Sequence, residues 1–110
     1  MDGIYQVDYA GAAGTGMALL VFLNGVISGA TVGGAVLDGT YSATGGGTIS
    51  CQVTMRVPAG LSLVTGTPPS SQPTNYPFGM NLPQQFDGHV AIATFQFGSL
   101  ELAFKKLRDL

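Results

Sequence analysis

The segment "GTISCQVTMRV" at 47–57 alternates without a break, with Ile49, Cys51, Val53, Met55 and Val57 on one side and Thr48, Ser50, Gln52, Thr54 and Arg56 on the other. Period-two alternation of this length, with β-branched residues on both sides, describes a strand with one face in a core and one in water. A helix of the same sequence would mix the two sets on every face. The pattern returns at the end of the chain, where Leu100, Leu102 and Phe104 alternate with Glu101, Ala103 and Lys105. It is present near the start as well, where Tyr5, Val7 and Tyr9 alternate with Gln6 and Asp8. Seventeen glycines and six prolines in 110 residues are far too many for a helical bundle. The fold class is all-β.

Turn signals separate the apolar runs. "NG" at 24–25 sits between "MALLVFL" and "VISGAT" and predicts a tight hairpin, because both residues tolerate positive φ. "ATGGG" at 43–47 and "FGS" at 97–99 are further links. "DG" occurs at 2–3, 38–39 and 87–88, each time ahead of a strand, and reads as turn chemistry that starts the strand. "DGIY" and "DGTY" thus echo one another as one local solution used twice; a repeat would keep a fixed period. Strands are expected near 3–9, 16–24, 26–31, 36–42, 48–57, 76–82, 89–97 and 99–107. The run 65–77 holds four prolines and is expected to be loop or edge.

Eight short antiparallel strands with few charged residues to blunt an open edge predict closure into one small, lipocalin-like, up-and-down β-barrel spanning 1–110. Typical domains run ~100–150 residues, so one core is expected. "MALLVFL" does not alternate, so both its faces should be covered, one by the interior and the other by a second subunit. A homodimer is expected, with Leu19, Leu20, Val21 and Phe22 at its interface.

Composition excludes other classes. Four basic and six acidic residues, net charge −2, cannot neutralise a useful run of phosphates, so no direct nucleic-acid partner is expected. A single cysteine allows no internal disulfide, and "MALLVFL" lacks the flanks of a signal peptide and the ~20-residue length of a membrane helix. A cytoplasmic location and no membrane span are expected.

The order of these pieces has a likeness. "DGIY" at 2–5, a glycine-flanked apolar strand, "NGVISGATVGG" at 24–34 and "DGTYS" at 38–42 resemble the GrlR family, bacterial negative regulators of type III secretion genes and their small relatives. The resemblance covers roughly the first half of the chain, with a weaker echo in "LELAFKKL". It implies an eight-stranded dimeric barrel with an apolar interior and a loop plugging one side. It also implies regulation by capture of a protein partner, a transcription activator in the family's namesake, without contact to DNA. There an acidic motif follows the G-x-x-S strand. Here that turn reads Ala43, Thr44, Gly45, Gly46 and Gly47 with no carboxylate, so the turn is a candidate contact region and no acidic contact carries over.

No catalytic set assembles around the single histidine, His89, or the single cysteine, Cys51, and no cofactor or metal is expected. The glycine clusters lack the spacing of phosphate-binding loops. The three cations of "KKLRDL" read as a solvated strand end. The interior carries the second functional reading. Tyr5, Tyr9, Tyr41, Met55, Phe95 and Phe97 are expected to line it, either as the walls of a site for an apolar small molecule, with the proline-rich loop as lid, or as filling. The first reading is a non-enzymatic regulator; the alternative is a carrier or sensor of a lipid-like ligand.

Overall fold

A computed structural model describes residues 2–66, 68–95 and 98–110. Its eight strands are β1 (Gly3–Gly11), β2 (Gly14–Leu23), β3 (Val26–Thr31), β4 (Val36–Ala43), β5 (Thr48–Val57), β6 (Thr74–Pro83), β7 (Val90–Phe95) and β8 (Gly98–Asp109). All ladders are antiparallel and run in the order β6-β5-β4-β3-β2-β1-β8-β7. The first and last strands pair, with Val7 opposite Phe104, so the sheet curls into an up-and-down barrel. Closure is incomplete. Among the described residues no ladder joins β6 to β7, and that seam is spanned by side chains, the Phe78 and Phe95 rings lying 4.9 Å apart.

The alternation of β5 appears as expected, with Ile49, Cys51, Val53, Met55 and Val57 all buried. Leu23 pairs with Val26 across a two-residue turn, where Asn24 (φ 51°) and Gly25 (φ 81°) are both left-handed. β6 begins earlier than expected and contains Pro77, which has no N–H to give a second neighbour. An edge strand accepts that, and β6 is an edge.

The Asp-Gly pairs correct the expectation of turns. Only Gly88 has left-handed backbone (φ 78°); Gly3 opens β1 and Gly39 lies inside β4. Glycine is needed there for a non-local reason. A Cβ on Gly39 would lie 2.1 Å from the Gln52 carbonyl oxygen, and one on Gly3 would lie 2.6 Å from that of Arg108. In both motifs the tyrosine two residues on shares the glycine's inward face, and both tyrosines are buried. The two copies also meet: the Tyr41 hydroxyl donates a hydrogen bond to the Asp2 carboxylate.

Both ends are covered. At the end carrying the β2–β3 turn, Phe86 from the 84–89 loop inserts between Tyr5 and Phe104 and is 1% exposed. At the other end Leu61, Leu63 and Val64 pack on the core, and the Val64 carbonyl accepts a 2.6 Å hydrogen bond from Ala13 N–H. The covering residues thus precede the proline-rich run instead of belonging to it.

Gly39→Ala is expected to lower stability by about 1–3 kcal/mol, the usual cost of forcing atoms into occupied space. Gly46→Ala, where an added Cβ meets nothing within 4 Å, is expected to be close to neutral. Urea denaturation of both variants checks the contrast; equal midpoints would mean that the close approach at Gly39 is not a constraint.

Candidate functional site

Alternation sends one set of side chains inward, and every fully buried side chain among the described residues is apolar or aromatic. The expected lining residues divide by height along the barrel. Tyr5 and Tyr41 belong to a packed aromatic end: the Tyr5 ring stacks on Phe86 at 4.4 Å and meets Phe22 edge-on at 5.3 Å, while Tyr41 tilts against Phe22 at 5.3 Å. Tyr9, Met55 and Phe95 wall what space is left, together with Phe78, Met80 and Ala93. Phe97 lies outside the described residues. The cavity is about 40 Å³ and presents only apolar atoms. Ligand pockets run ~300–1,000 Å³, and a water molecule in the liquid occupies ~30 Å³. The interior is therefore nearly filled by its own side chains.

Its polar atoms are held neutral. Burial raises the Tyr41 phenol above its ordinary value, and the hydrogen bond it donates to Asp2 acts in the same direction, since a phenolate there would face a carboxylate. Burial likewise raises the Tyr5 phenol, opposed by the Lys106 ammonium, whose Nζ lies 5.8 Å from the ring centroid. Lys106 pairs with Asp109, which raises the lysine and lowers the carboxylate. Cys51 is wholly buried on β5, and desolvation pushes its thiol up to about 11, far from the thiolate a nucleophile or metal ligand needs. His89 sits in the loop before β7, where its backbone N–H and carbonyl bond Phe86 and Phe104. Among the described residues no three His, Cys, Asp or Glu side chains cluster as a metal site would require.

The outer wall is different. β2 turns Ala18, Leu20 and Phe22 inward and Leu19, Val21 and Leu23 outward. This corrects half of the expected interface: Leu20 (4% exposed) and Phe22 (0%) are interior residues that no second subunit can reach. The run shows no alternation because the outward positions are apolar too. Leu19 and Leu23 are 46% and 41% exposed, and neighbouring strands add exposed Val26, Ala30 and Val36 beside them. Leu19, Val21 and Ala30, with Met17 and Val32, line a shallow, mostly apolar trough over β2 and β3 that also includes Ser28 and Thr31. The turn at 43–47 is exposed and rigidly closed, Thr44 bonding the Thr48 carbonyl through both its N–H and its hydroxyl at 3.1 Å.

No protein-family model matches the chain, and no curated protein matches it. The barrel, its filled interior and its uncovered apolar wall are what a functional reading has to work from. Phe86 and Phe78 were missed by sequence reasoning. Phe86 stands alone among polar residues in "QQFDGH", a signal for an aromatic plug; Phe78 falls inside the strand expected at 76–82, on the same parity as Tyr76 and Met80, which could have placed it inward.

Both raised phenols favour the fold while protonated. An unfolded tyrosine ionises near pH 10, so this contribution is complete below that pH and is lost as pH rises through the higher folded values. Buried Cys51 acts in the same sense from a lower starting point, since an unfolded thiol ionises at pH ~8.5. Stability is therefore expected to be flat from neutral pH to about 8, to begin falling as the pH passes ~8.5 and to fall more steeply above about 10, where Tyr41→Phe should fall less steeply. Urea melts across that range test it; an unchanged slope in the variant would remove Tyr41 as a cause.

Proposed function

We propose that the chain is a non-enzymatic regulatory protein that acts by protein–protein contact, as the resemblance to the GrlR family implies, with negative regulation of type III secretion genes as the family's version of that role. The observation that carries the reading is the contrast between the two faces of β2. The inner face is used up by packing, while the outer face leaves Leu19, Leu23, Val26 and Val36 in water. Contiguous apolar surface of this kind is characteristic of association. A second copy of the chain is the first occupant, through an isologous contact in which the large residues of β2 lie in the trough of small residues, Ser28 and Ala30, on β3. The turn at 43–47 then remains free to meet a regulatory protein, without the acidic chemistry of the family's namesake.

The carrier reading comes second because of the cavity. A site that stores a lipid-like molecule needs several times the roughly 40 Å³ present. What favours it at all is that this space is wholly apolar.

Replacing Leu19 and Val26 by Lys is expected to convert a micromolar dimer into a monomer with unchanged circular dichroism. Sedimentation velocity on both forms decides it: a wild-type protein that is already monomeric removes the argument from the outer face. Native mass spectrometry of the 11.2 kDa chain recovered from its host separates the two functions. A co-purifying protein supports the regulator; a stoichiometric apolar small molecule overturns the ranking.

A further inference from the structure

We propose that the cleft beneath the 61–64 segment is a binding site for a small uncharged amphiphile, held by a hydroxyl-type head at this end of the barrel with its aliphatic chain directed inward. The proposal goes beyond the protein-contact reading and does not rest on it. The cleft is about 260 Å³, roofed by Leu61, Leu63 and Val64. Tyr9, Thr31 and Met55 line it from the barrel side, and the same three residues wall the interior cavity of about 40 Å³. The two spaces therefore adjoin, and together they approach the ~300 Å³ at which ligand pockets begin. Such a site differs from a lipid store inside the barrel, since only the end of the chain enters the interior.

The side chain at the junction is set in place by a glycine. Tyr9 pairs with Gly16 across the β1–β2 ladder, and a Cβ at Gly16 would collide with the Tyr9 ring and hydroxyl. Gly16 is not among the left-handed glycines, so what it answers to is space. A glycine inside a strand costs stability relative to a residue with a side chain. Here it seats an aromatic ring whose hydroxyl makes no hydrogen bond among the described residues. Thr31 Oγ1 accepts a 3.0 Å bond from Ala35 N–H, and its own proton goes to no partner among the described residues.

The chemistry of the lining selects the ligand. Thr15 and Ser62 add exposed hydroxyls at the rim, and among the described residues no charged side chain lines either space. A carboxylate or ammonium head would leave water without meeting an opposite charge, whereas a neutral head exchanges hydrogen bonds with hydroxyls at little cost. The inner cavity presents only apolar atoms, which suits an aliphatic chain end. Entry needs no strand to open. The 61–64 stretch belongs to no ladder and is tied to the barrel by the Ala13 N–H to Val64 carbonyl bond and by packing of its three apolar side chains. Segments held in this way open at lower free energy than core strands.

The probes are n-alcohols from butanol to octanol, and n-octanoate, titrated into the full isotope-labelled chain and followed by amide resonances. Shifts are expected at Gly16, Thr31 and Leu61–Val64, with affinity rising about fourfold per added methylene until the inner cavity is filled. Octanoate is expected to bind at least about tenfold more weakly than octanol. Ser62→Lys, at an exposed rim position, is expected to erase that preference by supplying an ammonium. Tyr9→Phe keeps the ring over Gly16 and is expected to weaken octanol several-fold with an otherwise unchanged spectrum. No binding up to the solubility of octanol, shifts confined to the outer faces of β2 and β3, equal binding of octanoate, or full affinity in Tyr9→Phe would each overturn the proposal. The Leu19 and Val26 replacements lie on the outer wall and are expected to leave alcohol binding unchanged, so failure of this site leaves the protein-contact reading standing.

Discussion

The ladder between β1 and β8 is the contact on which the barrel depends. The other six ladders join consecutive strands, so each forms by closing a connection within its own stretch of chain. β1 and β8 must instead bring residues as distant as Tyr5 and Lys106 into register. Loop-closure entropy grows slowly with length, about 0.6 kcal/mol per doubling, so this long closure costs only about 2 kcal/mol more than a hairpin's. The aromatic end more than offsets that. Tyr5 on β1 and Phe104 on β8 both pack on Phe86, and burying one such ring contributes about 1.5–3 kcal/mol. Closure and plugging are therefore one event: Phe86 has its full contact surface only when the two terminal strands are paired.

The position of the seam follows. With the chain ends sealed together, the remaining edges fall between β6 and β7, where β6 is rich in proline and β7 is short. The same closure empties the interior of chemistry. Tyr5, Tyr41 and Cys51 are held in their neutral forms by burial, and all the charged side chains lie outside the core. A barrel whose inside is packing presents its specificity on its wall, its turns and its ends.

How much of this was legible in the sequence depends on whether the cause was local. β3 and β5 match their expected bounds residue for residue, because alternation and the Asn24–Gly25 turn are properties of neighbouring residues. β6 was shortened because its prolines are tolerated only at an edge, and edge status is a property of the whole sheet. Gly39 read as a turn residue, although what it answers to is the Gln52 carbonyl on the next strand. Among the candidate lining residues, the inward direction of Tyr5, Tyr41 and Met55 was readable from parity. Their height along the barrel was not, so the packed end and the cavity were merged into one site. In "MALLVFL" even parity was hidden, since inward Leu20 and Phe22 look no more apolar than outward Leu19 and Val21.

The twice-used Asp-Gly-x-Tyr shows how a short motif can carry non-local instructions. Its glycine lets a neighbouring carbonyl approach more closely than any Cβ would allow. Its tyrosine, two residues on, puts an aromatic ring on the inward face beside the space the glycine leaves. The aspartate has a different fate in each copy: Asp2 receives the Tyr41 hydroxyl, while Asp38 stays exposed on the outer wall. The asymmetry has a physical reason. Gly3 begins β1 at the rim, where Asp2 can turn over the barrel mouth, whereas Asp38 is locked by pairing on both sides of β4 into an outward position. The motif therefore ties the start of the chain to β4 across the mouth, beside the turn at 43–47.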